Sequence, residues 1–199
     1  MIKRDEKKAD EHLFVGDKVV LRDKRAEDAW KEYLWRVDPE LSELDATFPL
    51  NIPFESFKAF YLEDLTYDQR GSYRFAIDTL DGLHIGNCMY YDLNMRKGEA
   101  ELGILIGDKD HWNGGYGTDA VQLLLLHMFR DLSLRRVYLK TLDWNVRAQK
   151  SFMKSGFVQY GRSNRSRWNF ILMDITRERW QALHPDVDLG PERPRSLFP

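Results

Sequence analysis

The chain carries a single cysteine, Cys88, in 199 residues. One thiol cannot close an intrachain disulfide or build a multi-cysteine metal site, and it suits a reducing compartment, so a cytoplasmic setting is expected. Positive charge is not in excess either. Lys and Arg total 30 against 32 Asp and Glu, a formal net charge of −2, which removes the broad basic surface that nonspecific nucleic-acid binding requires. No apolar run approaches the roughly 20 residues of a membrane-spanning helix. The charged start MIKRDEKKADEH reads as an arm, not as a signal peptide. His84, His111 and His127 have no partner at metal-ligand spacing, so no metal is expected. There is no internal repeat. The organisation expected is a charged arm over 1–14, one domain over 15–184 and a Pro-rich tail over 185–199.

Periodicity divides that domain into a regular series. Asp17–Arg22 reads as a strand, and Ala26–Val37 as a helix that Pro39 ends. An irregular connection punctuated by Pro49 and Pro53 leads to a second helix over about 55–65. Ser72–Thr79, His84–Asp92 and Glu99–Gly107 alternate as strands joined by two hairpin turns, an antiparallel meander. A helix over about 116–132 follows, with Val121, Leu124, Leu125, Met128 and Leu132 on its core-facing stripe. Then come the strand Arg135–Thr141, a helix Val146–Ser155 stopped by Gly156, two further strands and a short helix near 177–183. The order predicts an α+β or mixed α/β fold, with helices on a mostly antiparallel sheet that contains a parallel step.

The strongest local signal is His111-Trp112-Asn113-Gly114-Gly115-Tyr116-Gly117-Thr118-Asp119-Ala120. Three glycines stand directly before an amphipathic helix, where backbone can approach a ligand closely and the unpaired first-turn N–H groups make an anion site. A plain tight turn would use the same residues. A P-loop would need Lys-Ser/Thr after the last glycine, and Thr118-Asp119 does not supply it. The run from Gly115 to Ala120 matches the dinucleotide fingerprint G-x-G-x-x-A, but it follows an antiparallel meander and not a first parallel strand. Of the three phosphate readings, the dinucleotide one, a nicotinamide-dependent enzyme, is therefore weak.

The third is acyl-CoA. Glu99 to Gly107, followed by Trp112-Asn113-Gly114-Gly115-Tyr116-Gly117-Thr118, resembles the GNAT acetyltransferase superfamily, in particular the branch that acetylates ribosomal-protein N-termini and polyamines. Trp112, Gly115 and Gly117 fall on the fixed positions of its pattern Gln/Arg-x-x-Gly-x-Gly/Ala, with Trp departing from Gln/Arg. Asn145-Val146-Arg147-Ala148, with Phe152 and Ser155-Gly156-Phe157, is similar to the second CoA-contacting helix of that family. The resemblance implies an acyl-CoA N-acyltransferase fold with a splayed parallel strand pair, and acetyl-CoA as cosubstrate. It further implies that backbone of Ile104, Leu105 and Ile106 holds the pantetheine arm and that N–H groups of Asn113 to Thr118 hold the pyrophosphate. Asn145 would bond the pantetheine near the sulfur, unless it serves only as a helix N-cap. Lys150, with Lys154, is a candidate for the CoA 3′-phosphate, although a solvent-facing helix surface explains both equally.

Acetyl transfer to an amine needs a base, since alkyl ammonium groups have pKa values near 10.4. Glu101 is the first candidate, Glu99 the second, and the backbone N–H of Leu105 is the expected oxyanion donor. The family's usual thiolate acids are absent: Phe152 and Ala148 occupy the Tyr and Ser positions. The partner expected is an amine acceptor, either a small molecule such as a polyamine or aminoglycoside or a peptide N-terminus. Glu40, Glu43, Asp45, Glu63 and Asp64 are candidates to attract it. Dimerisation is left open. A noncatalytic acyl-CoA-binding domain of the same fold is the alternative.

Overall fold

The computed structural model describes residues 13–66 and 71–191; most of the expected N-terminal arm and the far end of the tail lie outside them. Among the described residues, eight strands form one sheet in the order β1-β2-β3-β4-β5-β6-β8-β7. They are β1 (Leu13–Val15), β2 (Val19–Asp23), β3 (Tyr73–Thr79), β4 (His84–Asn94), β5 (Glu99–Ile106), β6 (Arg136–Leu142), β7 (Val158–Arg165) and β8 (Trp168–Thr176). The helices are α1 (Ala29–Val37), α2 (Pro39–Leu44), α3 (Phe54–Thr66), α4 (Tyr116–Arg130), α5 (Val146–Lys154) and α6 (Arg177–Leu183). Every neighbouring strand pair is antiparallel except β5 and β6, which are joined through α4, as a parallel pair requires a crossover.

The apolar stripe of α4 packs on the sheet. Val121, Leu124, Leu125 and Met128 are buried together with Cys88, Leu102, Val137 and Leu139. Alternation along β6 follows the sequence: Val137, Leu139 and Thr141 are buried, whereas Lys140 between them is exposed. Burial pushes the Cys88 thiol well above its ordinary pKa, as suits a small apolar core residue.

Three expectations need correction. Helix α1 stops at Val37, as expected, but the connection after it is not irregular from its start: Pro39 opens α2, with the Asp38 carboxylate accepting from the Leu41 N–H. Proline at the first helical position after an Asp cap is a favourable start, because its missing N–H would be unpaired there anyway. Leu13 and Phe14 belong not to a loose arm but to a strand paired with β2, where Phe14 meets Phe75 edge to face at 5.7 Å. The tail is structured as far as Leu189, which is buried. The Arg177 guanidinium holds it there by donating to the Leu189 and Gly190 carbonyls at 2.9 and 2.7 Å. At the start of β6, Arg136 pairs with Asp174 at 2.7 Å and Glu99 at 3.2 Å.

A buried ionic cluster links β2, β3 and the start of β4 to the α1 region. Arg22 donates to both Asp28 and Asp78, with closest distances of 2.7 and 2.6 Å. His84 Nδ1 lies 3.1 Å from Asp78, its Nε2 3.8 Å from Glu32, and Lys24 reaches Glu32 at 2.6 Å. Burial opposes the charge on Asp78, but hydrogen bonds with His84 and Arg22 outweigh it and hold the carboxyl below its usual range. Burial likewise opposes the imidazolium, yet Asp78 and Glu32 raise the His84 pKa above its ordinary value.

Removing one member leaves charges buried without compensation. Arg22→Met is expected to cost about 3–5 kcal/mol of unfolding free energy, read by urea denaturation. The raised His84 pKa contributes stability that is complete below its unfolded value of about 6.5 and is lost as pH rises through the folded value. The unfolding midpoint should therefore decline above about pH 6.5, and His84→Gln should flatten that decline. An equal decline in the variant would show that the stabilisation does not come from His84.

Candidate functional site

Parallel pairing between β5 and β6 covers only Glu99–Arg136, Ala100–Val137 and Glu101–Tyr138. Beyond that rung β5 remains paired to β4 as far as Ile106–Gly86, and β6 to β8 as far as Leu142–Phe170. The two strands thus diverge, and a cleft of about 910 Å³ opens between them. Leu102, Gly103, Ile104, Leu105 and Ile106 line one wall, and Lys140, Thr141 and Leu142 the other. The exposed edge of a strand offers amide groups to any extended, amide-bearing ligand.

The cleft runs on to the glycine loop, where Trp112, Asn113, Gly115, Gly117 and Thr118 line it. Gly115 has φ 88°, a left-handed torsion that glycine adopts without a Cβ penalty. It caps α4, whose first intrahelical bond runs from Asp119 N–H to Gly115 O at 3.0 Å. The N–H groups of Tyr116, Gly117 and Thr118 precede that bond and have no intrahelical acceptor. Gly114 and Tyr116 are not among the lining residues; the Tyr116 ring packs edge-on against His111 at 5.0 Å. Trp112 fastens the loop to β5 by donating from Nε1 to the Ile106 carbonyl at 2.8 Å.

On α5, Asn145 caps the helix by accepting from the Ala148 N–H at 3.1 Å, and Thr118 and Ser151 hydroxyls meet at 2.9 Å across α4 and α5. Asn145, Ala148, Lys150, Phe152 and Lys154 all line the cleft. Phe152 is buried against Phe157, and neither it nor Ala148 can give up a proton. The residues present therefore fit a ligand with an extended polar arm and an anionic end.

Two residues missed from the sequence complete this region. The Arg147 guanidinium stacks 3.5 Å from the Trp112 ring centroid and adds positive charge to the cleft wall. Asp119 accepts from the N–H groups of Lys18 and Val19 at 2.8 and 3.0 Å, locking the start of β2 to the first turn of α4. An acid in a helix's first turn is the signal that could have marked Asp119; nothing in the sequence marks the stacking of Arg147.

A second cavity of about 1300 Å³ lies on the α1–α3 side, and the two cavities share Asp45, Tyr91, Gly103, Ile104 and Leu105. Its walls are aromatic (Trp35, Phe57, Phe60, Tyr61, Tyr73) and charged (Asp23, Lys24, Glu32, Arg36, Asp45, Glu63, Asp64, Arg74). Of the acids expected here, Asp45, Glu63 and Asp64 are present. Glu40 points elsewhere, to Lys109 at 2.7 Å, and Glu43 is not part of the wall. Glu101 lines neither cavity. It is buried, and its Oε1 accepts from the Tyr91 hydroxyl at 2.6 Å and from Lys140 Nζ at 2.7 Å. Glu99 is held by Arg136.

A splayed parallel pair, a glycine loop at the N-terminus of the crossover helix and a second cavity meeting the first define an acyltransferase-type architecture. Residues 18–158 match the acetyltransferase (GNAT) domain, and the chain belongs to that family, whose cosubstrate is acetyl-CoA. An uncharacterized N-acetyltransferase of Bacillus licheniformis, p20, is 32% identical over 80 residues, which are 38% of this chain and 44% of that one; the match thus spans less than half of the relative's length. Among solved structures, spermidine N-acetyltransferase from Vibrio cholerae in complex with CoA and spermine superposes with a TM-score of 0.71 at 19% identity, covering 81% of this chain and 97% of that one. An aminoglycoside acetyltransferase in complex with coenzyme A gives 0.69 at 19% identity, covering 83% and 99%.

Asp119→Ala would remove the acceptor that holds the exposed Lys18 N–H and the part-buried Val19 N–H. A hydrogen bond of this kind contributes about 1 kcal/mol, so the variant is expected to unfold at slightly lower urea concentration and to bind acetyl-CoA more weakly through a loosened loop. Unchanged values in both assays would show that the β2 contact does not position the loop.

Proposed function

We propose that this chain transfers an acetyl group from acetyl-CoA to a primary amine, by direct attack in a ternary complex and within the domain over 15–184. The observation that carries the reading is the meeting of two cavities at Gly103–Leu105, where the sheet opens beside the buried Glu101. Acetyl-CoA supplies an activated acetyl thioester. Backbone of Ile104, Leu105 and Ile106 would hold its pantetheine arm, with the Nδ2 of Asn145 donating to it. The N–H groups of Asn113, Gly114, Gly115, Tyr116, Gly117 and Thr118 would hold its pyrophosphate, and Lys150 and Arg147 would face its phosphates. Glu101 is the proposed base and the Leu105 N–H the proposed oxyanion donor.

The acceptor cavity favours an amine of modest charge with an apolar body. Its five acids stand against three cations, Lys24, Arg36 and Arg74. Asp45 is paired with Arg36 at 3.2 Å, and Glu32 with Lys24. The remaining net charge suits one or two ammonium groups, and the aromatic walls suit apolar or cation–π contact. Spermine, bound in one structural neighbour, aminoglycosides, for which another is named, and peptide N-termini are the acceptors to try first. Ala148 and Phe152 favour one second reading, an acyl-CoA-binding domain without catalysis.

Calorimetric titration with acetyl-CoA separates these readings when paired with a thiol-release assay over the amine panel. Wild-type protein is expected to bind and to release thiol with at least one amine. Gly117→Glu, which sets a carboxylate among the loop N–H groups, is expected to bind at least about tenfold more weakly, a loss of about 1.4 kcal/mol. Binding without thiol release would favour the noncatalytic domain, and no binding would overturn both.

A further inference from the structure

Ala148 and Phe152 of α5 line the cleft and neither can give up a proton, so the acid that the family resemblance implies there is absent from these two positions. Ionisable groups stand instead on the sheet. Tyr91 on β4 is the register partner of Glu101 on β5, and Lys140 on β6 is two residues beyond Tyr138, the parallel partner of Glu101. All three side chains therefore project from one face of adjacent strands. Gly103, next on that face, packs against Met89 and the Tyr91 ring: a Cβ there would lie 3.3 Å from Met89 Cγ and 3.4 Å from Tyr91 Cε1. Just past Tyr91 the ladder bulges, with Asp92 at φ 52°, a device that re-aims a side chain beside a site.

The contacts are directional. The Tyr91 hydroxyl and Lys140 Nζ both donate to Glu101 Oε1, at 2.6 and 2.7 Å. Tyr91 lines both cavities, Lys140 lines only the cleft of the glycine loop, and Glu101 lines neither. The buried carboxylate thus has one partner facing each side of the reaction. Burial and the bond to Glu101 push the Tyr91 phenol well above its ordinary pKa, so it stays protonated and able to donate. The remaining charged groups around it are accounted for: Glu99 is taken by Arg136, Asp45 by Arg36, and Asp92 and Tyr138 flank the cluster.

We propose that Tyr91, Glu101 and Lys140 form one proton relay across the strand gap and stand in for the absent acid on α5; the proposal rests on the acetyltransferase reading above. Starting from a neutral amine, the new bond joins its nitrogen to the acetyl carbon, and the carbon–sulfur bond breaks with its electron pair on sulfur. Tyr91 Oη takes the nitrogen's proton as it passes its own to Glu101. Lys140 gives a proton to the departing sulfur and recovers one from Glu101. One proton moves from nitrogen to sulfur, and all three side chains return to their starting states.

The test uses the full chain, acetyl-CoA, and spermine, an aminoglycoside and a short peptide with a free N-terminus as acceptors. Tyr91→Phe is expected to lower kcat by about 100-fold, within the range for lost proton transfer, while acetyl-CoA affinity by calorimetry stays at the wild-type value. Lys140→Arg keeps the charge but not a transferable proton, because a guanidinium does not deprotonate in proteins. It is expected to be as slow as Lys140→Met. Full activity in Lys140→Arg would mean that charge alone suffices and would overturn the relay. A Tyr91→Phe variant that keeps wild-type kcat would overturn it too, and leave the acetyltransferase reading intact. Absence of thiol release from wild-type protein with every acceptor would overturn both.

Discussion

Parallel pairing of β5 with β6 stops at the Glu101–Tyr138 rung because each strand is held more extensively on its far side. β4 keeps β5 to Ile106, and β8 keeps β6 to Leu142. Sheet twist rotates neighbouring strands relative to one another, so two strands anchored to different partners separate unless a ladder joins them. The candidate site is arranged around that separation. The cleft is the gap itself, the glycine loop closes one end of it, and the second cavity opens onto it at Gly103–Leu105.

A gap in a sheet exposes backbone groups on both edges and would ordinarily invite collapse or mispairing. Here the surroundings brace it. Trp112 ties the loop to the Ile106 carbonyl, Asp119 ties α4 to β2, and Lys109, just before the loop, pairs with Asp38 and Glu40 of the α2 start. On the other side, the Arg22–Asp28–Asp78–His84–Glu32 cluster joins β2, β3, the β4 start and α1 under the second cavity. Buried ion pairs contribute little net stability against hydrophobic replacements, but each partner is costly to lose. Such a cluster fixes geometry more than it adds free energy.

Local features were legible in the sequence where one physical rule dominates. Helix α4 followed from its apolar stripe, β6 from strict alternation, and the loop from three glycines before a helix. Helix α2 was hidden because the proline that stops one helix is also a good first residue for the next. Leu13–Val15 was missed because three residues carry no periodicity; only pairing with β2 makes them a strand. The acid wall was only partly legible. Asp45 and Glu63 face the cavity while Glu40 turns to Lys109, a choice made by the position of Lys109, 69 residues away.

The deepest part of the site was legible in identity and hidden in arrangement. Alternation puts Glu101 on the face with Gly103 and Leu105, but no pattern within β5 says that Tyr91 and Lys140 close over its carboxylate. Those contacts depend on the register of three strands, and a one-residue slip in either neighbour would turn its partner to the other face. The β4 bulge at Asp92 and the short parallel ladder to β6 set that register. An unpaired carboxylate at this depth would be expensive to keep charged, whereas one that accepts from a phenol and an ammonium is satisfied. The strand registers that open the gap are therefore the same ones that allow an acid to sit buried at its base.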